Sequence, residues 1–128
     1  MCLIFFALQQ HEKYPLIIAA NRDEFYARQT AAAGFWPEDE RILAGRDLEA
    51  CEPQRGCGTW LGVSRNGRLA LVTNYRDPKN INPKAPSRGH LVSAYLRGTD
   101  EPEHYLHKLQ PEAPRYNGFN LVVGDAHQ

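Results

Sequence analysis

Two short apolar runs near the start of the chain, with a polar stretch between them, constrain the fold most. Leu3 to Leu8 is rich in Ile and Phe, Leu16 to Ala20 repeats the pattern, and Gln9 to Tyr14 separates them. Runs of this length and composition read as strands, here expected to be buried on both faces. The intervening segment suits an antiparallel hairpin loop. Folding back in this way brings the end of the second run, Asn21-Arg22-Asp23-Glu24, to Cys2. If Gln9 pairs with Tyr14, Asn21 lies opposite Cys2; a slip of one residue puts Arg22 there instead, and the sequence leaves the register open. Directly opposed residues share a face, with Cβ atoms about 4.5–5.5 Å apart.

That meeting has a chemical reading. Loss of Met1 would leave Cys2 with a thiol and a free α-amine on one carbon. An α-amine titrates near about 7.7–8.0, so part of it is neutral at physiological pH. It can then act as the base for its own nucleophile. A neighbouring Arg22 favours a thiolate, while Asp23 or Glu24 can hold the amine or orient Arg22. The bland alternative is a small apolar residue leading a buried strand.

Further along, Phe25 to Pro37 reads as a loop with aromatic anchors. Ile42-Leu43-Ala44 reads as a short strand closed by Gly45-Arg46-Asp47, and Glu49 to Gly58 as an exposed loop. The clearest local signal is Arg65-Asn66-Gly67-Arg68 between two β-prone runs, Thr59 to Ser64 and Leu69 to Asn74. Asn-Gly there predicts a type I′ hairpin turn. The second run ends in the polar cluster Thr73 to Asp77, and strand ends often carry binding groups. A helix is expected from Ser87 or Arg88 to Gly98, burying Leu91, Val92, Tyr95 and Leu96 as one stripe. A second is expected after an Asp100–Glu103 cap, burying Leu106 and Leu109. His104 and His107 on it read as a solvated face rather than a metal pair. Pro111 to Tyr116 reads as a turn. Phe119 to Val123 reads as a last strand, with so little after it to cover it that the chain is expected to be a fragment.

The 128 residues suffice for one domain with a real core. Fifteen Lys and Arg balance fifteen Asp and Glu, so no global field favours nucleic acid or an acidic membrane surface. No run is long enough to span a membrane, and the N-terminus lacks the basic region of a signal peptide. Three cysteines, Cys2, Cys51 and Cys57, make no disulfide framework. A Cys51–Cys57 bridge is open to an oxidising compartment, but a reduced, cytoplasmic protein is expected.

The ordered set Met1-Cys2, Ala20 to Glu24, Ala44 to Asp47, Gly58 to Val63, Thr73 to Arg76, Ser87-Arg88-Gly89 and Tyr116 to Leu121 resembles the NRDE family, also called the transport and Golgi organisation protein 2 family. The likeness covers essentially the whole chain and places it as the N-terminal half of a family member. That family is similar to the cysteine branch of the N-terminal nucleophile (Ntn) hydrolases. The resemblance therefore implies an α+β fold, an αββα sandwich of antiparallel sheets, incomplete over a single domain 1–128. It implies Cys2 as nucleophile after loss of Met1, with Arg22 and Asp23 beside it and Asn74 donating to an oxyanion. Asn21, Glu24, Arg76 and Asn120 are the candidate substrate-binding residues.

Two functions follow. One is a cysteine amidohydrolase acting on a small acyl amide, at C–N bonds other than peptide bonds. The other, since the family is tied to acyl-CoA and lipid metabolism and haem trafficking, is a non-catalytic carrier for haem or an acyl ligand. For the carrier, Arg22, Arg46, Arg76 and Arg88 would meet carboxylates or phosphates and Trp36 and Trp60 would form an apolar wall; alternatively those arginines are solvated or paired with Asp23 and Asp47. No cofactor or metal is called for. The partners expected are small molecules (acyl amide, acyl-CoA or haem), with homo-oligomerisation left open.

Overall fold

The computed structural model describes residues 2–126. The fold is α+β with antiparallel sheets and two helices. Strand β1, Leu3–Leu8, pairs with β2, Leu16–Asn21, as a two-stranded sheet. A six-stranded sheet holds β3 (Thr30–Trp36), β4 (Asp39–Glu52), β5 (Gly56–Gly58), β6 (Leu61–Ser64), β7 (Leu69–Asn74) and β8 (Phe119–Gly124). Its order is β3-β4-β6-β7-β8, with β5 paired to the far half of β4. Helix α1, Gly89–Arg97, lies against this sheet, and α2, Pro102–Leu109, follows it.

The large sheet is sided by strand alternation. In β4, Ile42 is wholly buried, Leu43 is 38% exposed and Ala44 is buried again. The buried face joins Trp36, Ile42, Ala44, Ala70 and Val72 to Val92, Tyr95 and Leu96 of α1. Trp36, expected as part of a ligand wall, belongs to this core, where its indole N–H donates to the Ala44 carbonyl at 3.2 Å. Leu91, Val92, Tyr95 and Leu96 are buried as the helical stripe requires. The buried Arg68 ties the β6–β7 hairpin to the helix end, donating to the carbonyls of Tyr95 at 3.0 Å and Asp100 at 2.7 Å.

Several expectations are corrected. The β1–β2 hairpin forms where expected but is not buried: Phe5 is 63% and Phe6 50% exposed, because the core helix packs on the other sheet. Thr30–Trp36 and Gly56–Gly58 are strands rather than loops, and β4 runs fourteen residues, since pairing with β4 supplies the backbone partners that local composition does not signal. The hairpin turn is not type I′. Gly67 alone in it has positive φ (82°), and Gly67 N–H donates to Ser64 O while Ser64 N–H donates to Arg68 O, a three-residue loop with a left-handed glycine. The second helix starts with Pro102 in its first turn and Glu101 at the N-cap position without a side-chain cap; Asp100 does not cap it, its carboxylate instead meeting Lys108 Nζ at 2.8 Å. Leu106 on that helix is 42% exposed. His104 and His107 lie on the exposed side of α2. Cys51 and Cys57, directly opposed on β4 and β5, are joined by a disulfide rather than reduced. Among the described residues no helix is long and apolar enough to cross a membrane.

Candidate active site

The β1–β2 register settles the question that counting left open. Leu3 faces Asn21 and Leu8 faces Leu16. Continuing that count puts Cys2 level with Arg22, the slipped alternative. Cys2 is half-buried and its thiol is free. Met1 and its expected removal lie outside the described residues.

Cys2 opens onto a cleft of about 580 Å³. The end of β2 supplies Arg22, Asp23 and Glu24; β4 supplies Asp47, Glu49, Ala50, Cys51 and Glu52; β7 supplies Val72 and Asn74. Ser87 and Arg88, just before α1, also line it, together with Gly89 and His90 of the helix. Of the predicted site residues, Cys2, Arg22, Asp23, Glu24 and Asn74 therefore share one cleft. Asn21, Arg76 and Asn120 do not line it. Asn21 pairs within the hairpin, and Asn120 donates to Thr73 Oγ1 at 3.2 Å.

The charges are arranged around Asp47, which is buried on β4. Arg28 clamps its carboxylate, with Nη2 2.9 Å and Nε 3.0 Å from Oδ2. Burial alone would lower the Arg28 pKa, but the hydrogen bonds and charge of Asp47 outweigh it and hold the guanidinium firmly protonated. Arg22 reaches the same carboxylate at the longer distance of 3.8 Å and Glu24 at 4.0 Å. Its guanidinium also lies over the Trp60 ring, 4.1 Å from the centroid, a cation–π contact. Among the described residues Arg22 is thus held by three weak contacts. The Asp23 carboxyl is held below its usual range by neighbouring positive charge, Arg76 included.

Of the other arginines named for a carrier, Arg46 pairs with Glu38 at 2.5 Å outside the cleft. Arg88 lines it, donates to Gly118 O at 2.8 Å, and has its pKa pulled down chiefly by burial. Sequence reasoning overlooked two groups. Arg28 carries no local signal, because its partner lies nineteen residues away. His90 sits on the apolar side of a helix at 4% exposure. Neither of its ring nitrogens makes a hydrogen bond among the described residues, although Nε2 lies 3.3 Å from Glu52 Oε1 at an unsuitable angle. Burial pushes the His90 pKa down, against the opposing pull of Glu52.

A free thiol, a guanidinium, carboxylates and an exposed amide at a strand end thus line one cleft. The family model described as Transport and Golgi organisation 2 matches residues 1–128. The Transport and Golgi organization protein 2 homolog of Bos taurus is 45% identical over 129 residues, covering 98% of this chain and 45% of that protein. The Homo sapiens homolog is 44% identical with the same coverage. The Drosophila melanogaster protein of that name is 35% identical over 144 residues, covering 100% of this chain and 48% of its own. The chain thus spans about half the length of the curated relatives it matches.

Proposed function

Since the chain belongs to the Transport and Golgi organisation 2 family along its whole length, we propose that its cleft is the N-terminal part of a cysteine amidohydrolase site with Cys2 as nucleophile. The observation that carries the reading is the convergence of Cys2, Arg22, Asp23 and Asn74 on one cleft. After loss of Met1, the α-amine takes the thiol proton as Cys2 Sγ attacks the acyl carbonyl. Asn74 and a backbone N–H stabilise the oxyanion. The amine then protonates the leaving nitrogen, the C–N bond breaks, and water hydrolyses the thioester. Arg22 favours the thiolate, and Asp23 positions the amine.

The same proposal extends to the fold. The β1–β2 sheet is read as the seed of the second layer of an αββα sandwich, whose exposed Phe5 and Phe6 would be covered by chain corresponding to the relatives' additional length. A version extended to that length should protect both rings from solvent.

The hydrolase is tested by intact mass and by an electrophilic acyl probe. The expected result is a mature protein lacking Met1 that takes up one acyl group on Cys2, and none after Cys2→Ala. Retained Met1, or acylation unaffected by that substitution, would refute it. A second reading, carriage of an anionic amphiphile such as acyl-CoA or haem, is favoured by the half-buried Arg88 and by Trp60, both of which line the cleft. Saturable binding that survives Cys2→Ala but weakens with Arg88→Gln would favour carriage over hydrolysis.

A further inference from the structure

The Cys51–Cys57 disulfide has no part in the hydrolytic scheme, yet Cys51 lies on the wall of the cleft. Its two sulfurs differ in access. Cys51 is exposed, whereas Cys57 is 7% exposed and sits behind it on β5. They also differ in surroundings. Cys51 Sγ lies 3.6 Å from the carbonyl oxygen of Asp47, a partial negative charge that opposes an anion there. Cys57 Sγ lies 3.9 Å from Nη2 of Arg46, whose guanidinium favours one. Arg46 also has donor capacity in reserve, because its buried Nε–H finds no acceptor among the described residues.

From this asymmetry we propose that the bridge is an exchangeable disulfide serving small thiols that enter the cleft. The entering thiolate attacks the accessible Cys51 sulfur. The Cys51–Cys57 bond breaks, a mixed disulfide forms on Cys51, and Cys57 leaves as a thiolate held by Arg46. A second small thiolate then attacks the entering thiol's sulfur in the mixed disulfide and releases Cys51. Two small thiols have been oxidised to their disulfide, the protein disulfide has been reduced to a dithiol, and the two thiol protons end on Cys51 and Cys57. The reverse sequence, fed by the small disulfide, restores the bridge. Attack in the opposite sense would need entry to a buried sulfur and would leave an anion facing a carbonyl oxygen, so exchange has one direction of approach.

The test uses the full chain equilibrated with reduced and oxidised glutathione at graded ratios, quenched with acid, alkylated and mapped by peptide mass spectrometry. In the unmodified protein, early time points should show glutathione on Cys51 in at least tenfold excess over Cys57, and the bridge should pass to the dithiol within the accessible ratios. Cys57→Ser should retain glutathione on Cys51, whereas Cys51→Ser should capture at least tenfold less on Cys57. Arg46→Gln should shift the exchange equilibrium about tenfold toward the bridge, the scale of one charge-assisted hydrogen bond, and Arg46→Lys should recover most of that shift. A bridge that survives the most reducing ratio, equal labelling of the two cysteines in the unmodified protein, or an equilibrium indifferent to Arg46→Gln would each overturn the proposal. Because early labelling is read on the unmodified chain, a variant that fails to fold does not decide the outcome. Acylation of Cys2 is scored separately, so the hydrolase and the exchange reaction stand or fall independently.

Discussion

Gly45→Ala offers the sharpest link between the packing of β4 and the cleft. A methyl at Gly45 would lie 2.6 Å from Cη2 and 2.8 Å from Cζ2 of Trp60. Carbon atoms pack best at about 3.5–4.0 Å, so the ring edge must retreat by about 1 Å. Trp60 is a rigid bicycle with Arg22 stacked on it at 4.1 Å, so the displacement is passed to the guanidinium level with Cys2. Overpacking of this kind costs about 1–3 kcal/mol. Replacing a strand glycine by alanine returns about 0.5–1 kcal/mol of backbone entropy. The balance is a loss of about 1 kcal/mol.

Urea unfolding measures this directly. With a slope of about 1.5 kcal/mol per molar, the midpoint should fall by about 0.7 M at an unchanged slope. Trp36 is 1% exposed and Trp60 is half-buried, so acrylamide-quenchable emission reports on Trp60 and should change as well. Gly34→Ala is the matched control, because nothing lies within 4 Å of its added methyl and it too sits in a strand. It should leave the midpoint level or slightly higher. Equal midpoints for the two alanine variants, with quenching unchanged, would refute the claim that Gly45 is kept small by the indole.

Three other perturbations test separate parts of the structure. Ile42→Ala removes a wholly buried side chain from the sheet–helix interface and should destabilise by about 2–5 kcal/mol in the same urea assay. Arg68→Met keeps the apolar stem but removes the donors to Tyr95 O and Asp100 O and the stack over the Tyr95 ring; a loss of about 2–3 kcal/mol is expected, with faster amide exchange in the last turn of α1. His90 is held below its ordinary value of 6.5 by burial, so between its folded value and 6.5 the unfolded chain binds more protons. Its contribution to stability is complete above pH 6.5 and is lost as the pH falls through the folded value. The melting temperature should therefore drop as the pH falls below about 6.5, and His90→Gln should flatten that drop; an identical profile in the variant would count against it.

What could be read from the sequence follows from the range of the interactions involved. The β6–β7 hairpin was legible because its turn chemistry is local, although the type of turn depended on Gly67 alone taking positive φ. The stripe of α1 was legible for the same reason. Strands β1 and β2 were legible as strands but not in their exposure: apolar content reports what a strand is suited to contact, not whether that contact is present. Ala31 to Gly34 and Gly56 to Gly58 carry little strand propensity, and β4 recruits them through pairing. Pro102 was the readable sign of the second helix start and outranks the acidic pattern at Asp100. In the cleft, hairpin counting brought Cys2 to Arg22 within one residue of register, whereas the Arg28–Asp47 clamp and the Trp60 stack join distant segments that no local pattern connects.

Strand β4 emerges as the element on which the cleft depends. Its first half pairs with β6 and faces the core through Ile42 and Ala44. From Asp47 onward it pairs with β5, and on both sides of the register shift between Asp47 and Cys51 it lines the cleft with Asp47, Glu49 and Cys51. The irregularity thus falls within the stretch of β4 that lines the cleft, and bulges are frequent at such places. Asp47 divides its carboxylate unequally, at 2.9 Å to Arg28 and 3.8 Å to Arg22. The tighter clamp holds the wall in place, and the looser contact leaves Arg22 shared among Asp47, Glu24 and the Trp60 ring at the mouth of the cleft that Cys2 also lines. Under the proposed hydrolase, a carboxylate shared evenly would engage both arginines and leave the thiol without its cationic neighbour, so the inequality would reconcile a stable β4 wall with a reactive end of β1.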